Sequence, residues 1–388
     1  MSQELVERIR REIARTGPIT FARYMELALY DPEYGYYTTG LRTGRAGDYL
    51  TAPEAHPIFG WVVAHQLREL WETLGKPEPF TLVEYGPGTG TLALAIFAEL
   101  DRAAPALLAR LQYWPIERSQ PAHEQLEHRL ADTGFAPLLA QSPAPPVTGV
   151  VLANELVDAL PVHRIRCQGG QLWELFVDWD GERFVEIPGP PSTPELERWL
   201  ARLGVRLVEG QTTELCLAMF DWLDEVAALL VRGYLLVFDY GYPAPERHDP
   251  ARFPSGSVRT YVQHTVDDDP FAEPGERDIT SHVDFTMLEL AAEERGLVPL
   301  GLTTQAEFLA HGGLGERLVA LQNQPGVTAE QYLAARAAAF HLLDPSGMGR
   351  FRVALFGKNV PQDAVPTGFR PRLLTGVPLP SRSGESLP

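Results

Sequence analysis

The stretch "LVEYGPGTGTLALAI", residues 82–96, decides how this chain folds. It starts as an apolar run carrying Glu84, then places glycine at every second position: Gly86, Gly88 and Gly90. It continues as a helix-like pattern of leucine, alanine and isoleucine. A strand that turns on glycine into a helix is the opening unit of an α/β sheet, whose ligands sit beyond the carboxyl ends of the strands. Glycine is expected there because a Cβ would obstruct a ligand lying against the backbone.

Outward from this unit, strand and helix patterns alternate. "LQYWPIERS" reads as a strand, "AHEQLEHRLA" as a helix and "TGVVLANEL" as a buried strand. "MFDWLDEVAALLV" and "GYLLVFDYG" repeat the helix–strand pair, and "RFRVALFGK" is the last strand. Such alternation predicts a mostly parallel sheet with helices on both faces. Residues 1–75 read mostly as helix, with Leu5, Ile9 and Ile13 at four-residue spacing. Between the helices lies an irregular Gly-, Thr- and Tyr-rich stretch, 31–57, of the length that functional loops have. The chain therefore divides into an amino-terminal helical cap region, 1–75, and an α/β domain, 76–358. Insertions are expected at about 162–210 and 242–284, the first opening with a small antiparallel meander turning at Gly169-Gly170 and Asp180-Gly181. The segment 359–388, rich in Pro, Gly and Ser, reads as a disordered tail.

Composition narrows the function. Among 388 residues, 33 Lys and Arg stand against 51 Asp and Glu, a formal charge of −18. That sign counts against a general nucleic-acid binder and suits a cationic ligand or a basic protein, though it also serves solubility alone. Cys167 and Cys216 are the only cysteines, so neither a disulfide framework nor a cysteine metal site is supported. His123 and His128 share a helix without a third ligand, and no metal is expected. The first helix contains Glu4, Glu7 and Glu12, unlike a transit peptide, and no apolar run is long enough to cross a bilayer. A cytoplasmic location is expected.

Spacing discriminates among ligands of the glycine turn. The dinucleotide fingerprint G-x-G-x-x-G fails, because Thr91 stands where the third glycine belongs. The phosphate loop fails as well, with Leu92 and Ala93 in place of Lys and Ser/Thr. An acid before the turn, Glu84, and another at the end of the next strand, Glu117, fit S-adenosylmethionine better. Glu84 can accept hydrogen bonds around the methionine part, and Glu117 is placed to hold both ribose hydroxyls. The third strand ends in "NELVDALPV", which sets Asn154, Glu155 and Asp158 at the sheet mouth, where the transferring methyl should lie. Helix capping and solvated acids are the plainer reading of those three.

The strings "GPITFARYMELALYDPEYGYYT", "GRAGDYLTAPEAHPIFG", "VEYGPGTGTL", "NELVDALPV", "FDYG" and "PGERDITSHVDF" occur in this order. Together they resemble the MidA family of S-adenosylmethionine-dependent methyltransferases, related to the mitochondrial complex I assembly-factor methyltransferase, over about residues 17–312. The resemblance implies a Rossmann-like seven-stranded methyltransferase fold with S-adenosylmethionine as cofactor. It also implies arginine methylation of a protein, with a subunit of NADH:quinone oxidoreductase as the candidate substrate. By motif, Glu84, Gly86, Gly88, Gly90 and Glu117 hold the cofactor, and Asp48, Thr51 and Glu54 lie in a loop that closes over it. Asn154, Glu155 and Asp158 form the signature assigned to catalysis. His56 and Val157 depart from the family pattern and put the substrate in doubt.

An arginine acceptor is a charged, poor nucleophile that carboxylates can orient by paired hydrogen bonds. Glu155 and Asp158 are the acids expected to do so. A hydroxyl or carbon acceptor would need a base instead, and His282, near Asp278 and Asp284 in sequence, is the best histidine for it. A lone histidine is more often a packed one. Methylation of a small molecule, and a binding or assembly role without turnover, both remain open, as does a homodimer.

Overall fold

The computed structural model describes residues 2–39, 52–140, 145–262, 265–267, 269–363 and 365–370. Its centre is a six-stranded sheet: β1 (Phe80–Tyr85), β2 (Leu111–Ile116), β3 (Val147–Asn154), β4 (Leu230–Asp239), β5 (Val298–Thr304) and β6 (Arg352–Lys358). The spatial order is β5-β6-β4-β3-β1-β2. The four strands β2, β1, β3 and β4 run parallel, and β6 and β5 close the other edge antiparallel. Every residue of β1 is buried, as a central strand covered on both faces requires. The chain leaves β1 toward β2 on one side, and β3 lies on the other. This reversal opens a crevice at the carboxyl ends of the strands.

Two apolar cores flank the sheet. On one face the helices Ile58–Thr73 and Thr91–Ala103 pack with Phe80, Leu82, Tyr113 and Leu236. On the other, Ala218–Leu229 and Phe285–Glu293 pack with Val83, Val151, Leu235 and Val237. The alternation of inward side chains on β1 and β3 therefore feeds both layers. The helix Ile58–Thr73, grouped above with the amino-terminal region, lies in the core of the main sheet.

A third core joins the amino-terminal helices Ser2–Thr16 and Phe21–Tyr30 to the first insertion. The meander His163–Gln168, Gln171–Trp179 and Phe184–Gly189 is antiparallel, and Ile19–Thr20 adds to its edge beside Phe176 and Val177. Thr20 caps the helix Phe21–Tyr30 by accepting from the Arg23 N–H at 3.1 Å. This holds that helix beside the mouth of the crevice. In the second insertion, Arg247 and Glu214, each 1% exposed, pair at 2.7 Å and tie the segment down.

Two expectations are corrected. The described residues form six strands in the main sheet, not seven. Beyond β2 the chain makes a short turn at Ala136–Leu138 and one parallel bridge, Tyr113 to Leu139, with Ala140 N–H donating to Tyr113 O at 2.8 Å. The sequence there, "APLLAQSPAPP", has four prolines that cannot donate to a ladder. The tail, in turn, is ordered through Arg370. Thr367 Oγ1 donates to Glu69 Oε1 at 2.9 Å, Gly368 N–H to Gln66 Oε1 at 2.7 Å, and Phe369 meets Phe308 edge-on. The rest of that expectation, 371–388, lies outside the described residues.

Gly149 of β3 faces Thr81 and Gly233 across both neighbouring strands. A Cβ there would lie inside the van der Waals shell of the Thr81 carbonyl. Gly149→Ala should therefore destabilise the fold by about 1–3 kcal/mol, the usual cost of overpacking, seen as a lower thermal midpoint.

Candidate active site

At the end of β1 the three turn glycines all take positive φ: 64° at Gly86, 54° at Gly88 and 77° at Gly90. A side chain would strain each position. At Gly90 the closest obstacle to a Cβ is intramolecular, Leu126, and at Gly86 it is Leu156 at 3.2 Å. At Gly90 helix packing imposes a requirement for glycine of its own, beside any that a ligand would add. Arg129 fixes the turn, donating from Nη1 to Thr89 O at 2.7 Å, Thr89 Oγ1 at 2.9 Å and Thr91 Oγ1 at 3.0 Å.

The turn forms one wall of a cavity of about 400 Å³, within the range of small-molecule sites. Glu84, 3% exposed, lies at its inner end and accepts from Tyr113 Oη at 2.7 Å. Burial pushes its carboxyl up to about 7, against the pull of that hydrogen bond. Glu117, just past β2, accepts from Gly88 N–H at 2.9 Å and Ser119 N–H at 2.8 Å. A carboxylate has about four lone-pair positions, so two acceptor positions remain on Glu117 for a diol.

β3 delivers the opposite wall. Asn154 ends the strand, and Glu155 follows with φ of 50°, a conformation that costs a non-glycine residue about 1 kcal/mol or more. The Glu155 N–H donates to Phe238 O at 2.8 Å, and its Oε1 accepts from Ala52 N–H at 3.2 Å and Asn154 Nδ2 at 3.4 Å. Glu155 is half-buried against the cavity. Burial, then the neighbouring Asp158, pushes its carboxyl up to about 8. Asp158 sits in the 3-10 turn Val157–Ala159, 5% exposed, and accepts from Tyr240 Oη. Burial pushes it up to about 6. It lies behind the turn rather than among the residues that line the cavity.

Of the other candidates, Glu54 lines the cavity, whereas Asp48 and Thr51 lie outside the described residues. His282 does not line it. It packs against the rings of Tyr240, Tyr242 and Phe253, and burial, then Arg247 and Arg350, pushes it down to about 3. A group that acidic is neutral at working pH and a weak base. The packed-residue reading of His282 is the one the geometry supports.

Sequence reasoning missed several residues. Glu26 and Tyr30 reach the cavity from the amino-terminal helix, and Asp221, Trp222 and Glu225 from the helix Ala218–Leu229. Glu26 and Tyr30 fall inside the quoted string "GPITFARYMELALYDPEYGYYT", but nothing in it marks which of its side chains face a cavity. Arg118 lies 4.9 Å from the Tyr30 ring, and Tyr30 stacks on Tyr37. Asp239, the last residue of β4, was visible only as part of "FDYG". It is fully buried and accepts four backbone N–H groups.

The donor set suits a cationic ligand rich in hydrogen-bond donors. Seven carboxyl side chains line the cavity (Glu26, Glu54, Glu84, Glu117, Glu155, Asp221 and Glu225), and Arg118 is the one basic residue among the described lining. The buried acid at the inner end, the acceptors of Glu117 and the apolar Leu92, Ile116 and Trp222 fit the sulfonium, ribose and adenine of S-adenosylmethionine.

Comparison with known proteins agrees with this fit. Residues 62–303 match the family described as "Putative S-adenosyl-L-methionine-dependent methyltransferase". The mitochondrial protein arginine methyltransferase NDUFAF7 homolog of Drosophila melanogaster is 31% identical, over 91% of this chain and 84% of its own. The NDUFAF7 protein of Homo sapiens is 30% identical, over 81% and 75%. A Burkholderia thailandensis protein crystallised with S-adenosyl-homocysteine bound is 31% identical and superposes with a TM-score of 0.86, covering 95% of each chain.

Glu155 ties stability to pH. Its folded pKa of about 8 exceeds an ordinary carboxyl value of 4.5, so the folded state holds a proton that the unfolded state has lost. The stability this residue contributes falls as pH rises from about 4.5 to about 8. Glu155→Gln removes that loss. The thermal midpoint of the variant minus that of the parent should grow by roughly a few degrees between pH 5.5 and pH 8.5.

Proposed function

We propose, for a chain that belongs to the family of S-adenosyl-L-methionine-dependent methyltransferases, that it methylates an arginine side chain of a protein. One observation carries the choice of acceptor. Asn154 Oδ1 and Asp158 Oδ1 are buried acceptor oxygens without a hydrogen-bond partner, and they flank Glu155. An unsatisfied buried polar atom costs about 1–3 kcal/mol. A guanidinium, planar, cationic and carrying five N–H donors, can satisfy several such acceptors together.

When bound, the cofactor supplies a methyl group on a positively charged sulfur, which leaves as a neutral thioether. The protein's own part is electrostatic and positional. Glu84, Glu117 and the glycine turn would hold the cofactor, and Glu54 is proposed to cover it. The carboxyl of Glu155, ionised as a cation enters, draws the acceptor's charge toward itself and leaves electron density on the nitrogen facing the methyl group. Asn154, beside Glu155 on the cavity wall, accepts from a remaining N–H group, and Asp158 supports the turn from behind, fixing the approach line on which a displacement depends. The product carries one proton too many, and ionised Glu155 is the nearest base to receive it.

A second reading, methylation of a small molecule, is favoured by one fact. A carboxyl near 8 is poised for general-base work on a hydroxyl at neutral pH. Glu155 together with the orphaned Asn154 Oδ1 speaks for guanidinium, since a single hydroxyl could satisfy only one of them.

The relatives' names support a protein substrate, and a subunit of NADH:quinone oxidoreductase is the proposed one. Cytoplasmic residence is part of the same proposal. The mitochondrial designation belongs to the eukaryotic relatives. No helix among the described residues is long and apolar enough to cross a membrane.

Incubation with methyl-labelled S-adenosylmethionine and a cell extract, followed by hydrolysis and amino-acid analysis, should place the label in methylarginine. Glu155→Gln should lower the transfer rate about 10²-fold or more while cofactor affinity stays within a few-fold. Label in a small molecule, or in another amino acid, would overturn the arginine reading. No transfer with the cofactor still bound would favour an assembly role.

A further inference from the structure

The turn that carries Glu155 and Asp158 is held from the neighbouring strand, through two consecutive residues whose hydrogen bonds span 81 to 83 positions of the chain. Asp239 Oδ2 accepts from the N–H groups of Leu156 at 3.2 Å, Val157 at 2.9 Å and Asp158 at 3.3 Å, and its Oδ1 from Tyr240 N–H at 2.8 Å. Tyr240 Oη donates to Asp158 Oδ2. We propose that Asp239 and Tyr240 are positioning residues for methyl transfer: a two-point clamp in which the carboxylate fixes the turn by its backbone and the phenol fixes Asp158 by its side chain.

Three features argue for a role beyond folding. First, Asp239 is fully buried, with no cationic partner among the described residues. A buried carboxyl balanced by amide N–H groups alone, without a counter-charge, is an expensive way to close a turn. Second, what it fixes is strained. Glu155 holds φ of 50°, and its own N–H is bound to Phe238 O, so two successive residues of β4 grip two successive residues of the turn. Strain of this kind persists only where the surroundings over-determine it. Third, Tyr240 occupies one oxygen of Asp158 and leaves the other, Oδ1, without a partner. The phenol thereby fixes the carboxyl of Asp158 behind the turn that carries Glu155. The Tyr240 ring is itself fixed, 5.4 Å from the rings of both His282 and Phe351. This gives the buried His282 a supporting place in the same assembly.

The clamp is read from geometry alone. Only its effect on rate rests on the acceptor site proposed above. Among the described residues no hydrogen bond joins Asp239 or Tyr240 to the glycine turn or Glu117, so cofactor binding and transfer should separate.

Three variants test it: Asp239→Ala, Asp239→Asn, which keeps an oxygen acceptor for the three amides, and Tyr240→Phe. S-adenosyl-homocysteine affinity is measured by calorimetry, amide exchange at Leu156–Asp158 by NMR or mass spectrometry, and labelled-methyl transfer in an extract as kcat and KM. Expected are S-adenosyl-homocysteine Kd values within about threefold of the parent for all three. In Asp239→Ala and Tyr240→Phe, kcat should fall at least tenfold, in line with the sensitivity of rate to misplacement. Asp239→Asn should recover most of that rate. Exchange at the three amides should accelerate in Asp239→Ala alone.

Parental kcat in Asp239→Ala and Tyr240→Phe would overturn the proposal. So would loss of S-adenosyl-homocysteine binding together with activity, which marks a structural role, or an Asp239→Asn variant as slow as Asp239→Ala. If the parent transfers no label, the acceptor reading fails. The exchange data still judge the clamp, and unprotected amides in the parent would sink it.

Discussion

Three buried carboxyls, Glu84, Asp158 and Asp239, and a fourth at the cavity wall, Glu155, gather at the carboxyl ends of β1, β3 and β4 without a cation paired to any of them among the described residues. Everything else in the site answers to that concentration of negative charge. Parallel pairing in register makes it unavoidable, because Glu84 lies opposite Leu152 and Asn154 opposite Phe238, so the ends of three strands reach one edge together. Burial raises the pKa of each carboxyl, and part of the charge is held off by protons. Such an edge suits a cationic methyl donor and the cationic acceptor proposed above.

The amino-terminal layer completes the enclosure. Thr20 caps a helix whose Glu26 and Tyr30 face the cavity, and Tyr30 Oη donates to Ala159 O at 2.9 Å, linking that layer to the turn carrying Asp158. Tyr37 Oη donates to Asp278 at 2.8 Å and brings the second insertion to the same place. The cap and both insertions are thus bound to the site by side-chain hydrogen bonds laid over an independent apolar core. Chemistry is confined to the sheet edge, and the added layers shape access to it.

What the sequence made legible follows from local pattern. Glu84, the glycine turn and Glu117 belong to one strand–turn–helix–strand unit, and Asn154 and Glu155 end the next strand, so each could be placed by its position in a run. Asp239 could not. Its partners at 156–158 become neighbours only when β4 pairs with β3, and nothing in "FDYG" announces a carboxylate that accepts four amides. Glu26 and Tyr30 were equally hidden, because the side of the helix that faces the cavity depends on how the third core packs. Among the described residues the main sheet has six strands, and the seventh was implied by the family resemblance rather than by any local pattern. At Gly90 the structure adds a reason that no run of sequence shows, the close approach of Leu126.

The measurement closest to the central claim is calorimetric titration of the protein, loaded with S-adenosyl-homocysteine, with an arginine-bearing peptide and its citrulline counterpart. Run at pH 7 in two buffers of different ionisation enthalpy, it counts protons as well as affinity. If the acids at the sheet edge await a guanidinium, the arginine peptide binds more tightly and releases a proton, and the neutral citrulline peptide does neither. Equal binding of the two peptides, or arginine binding with no proton released, would contradict the account.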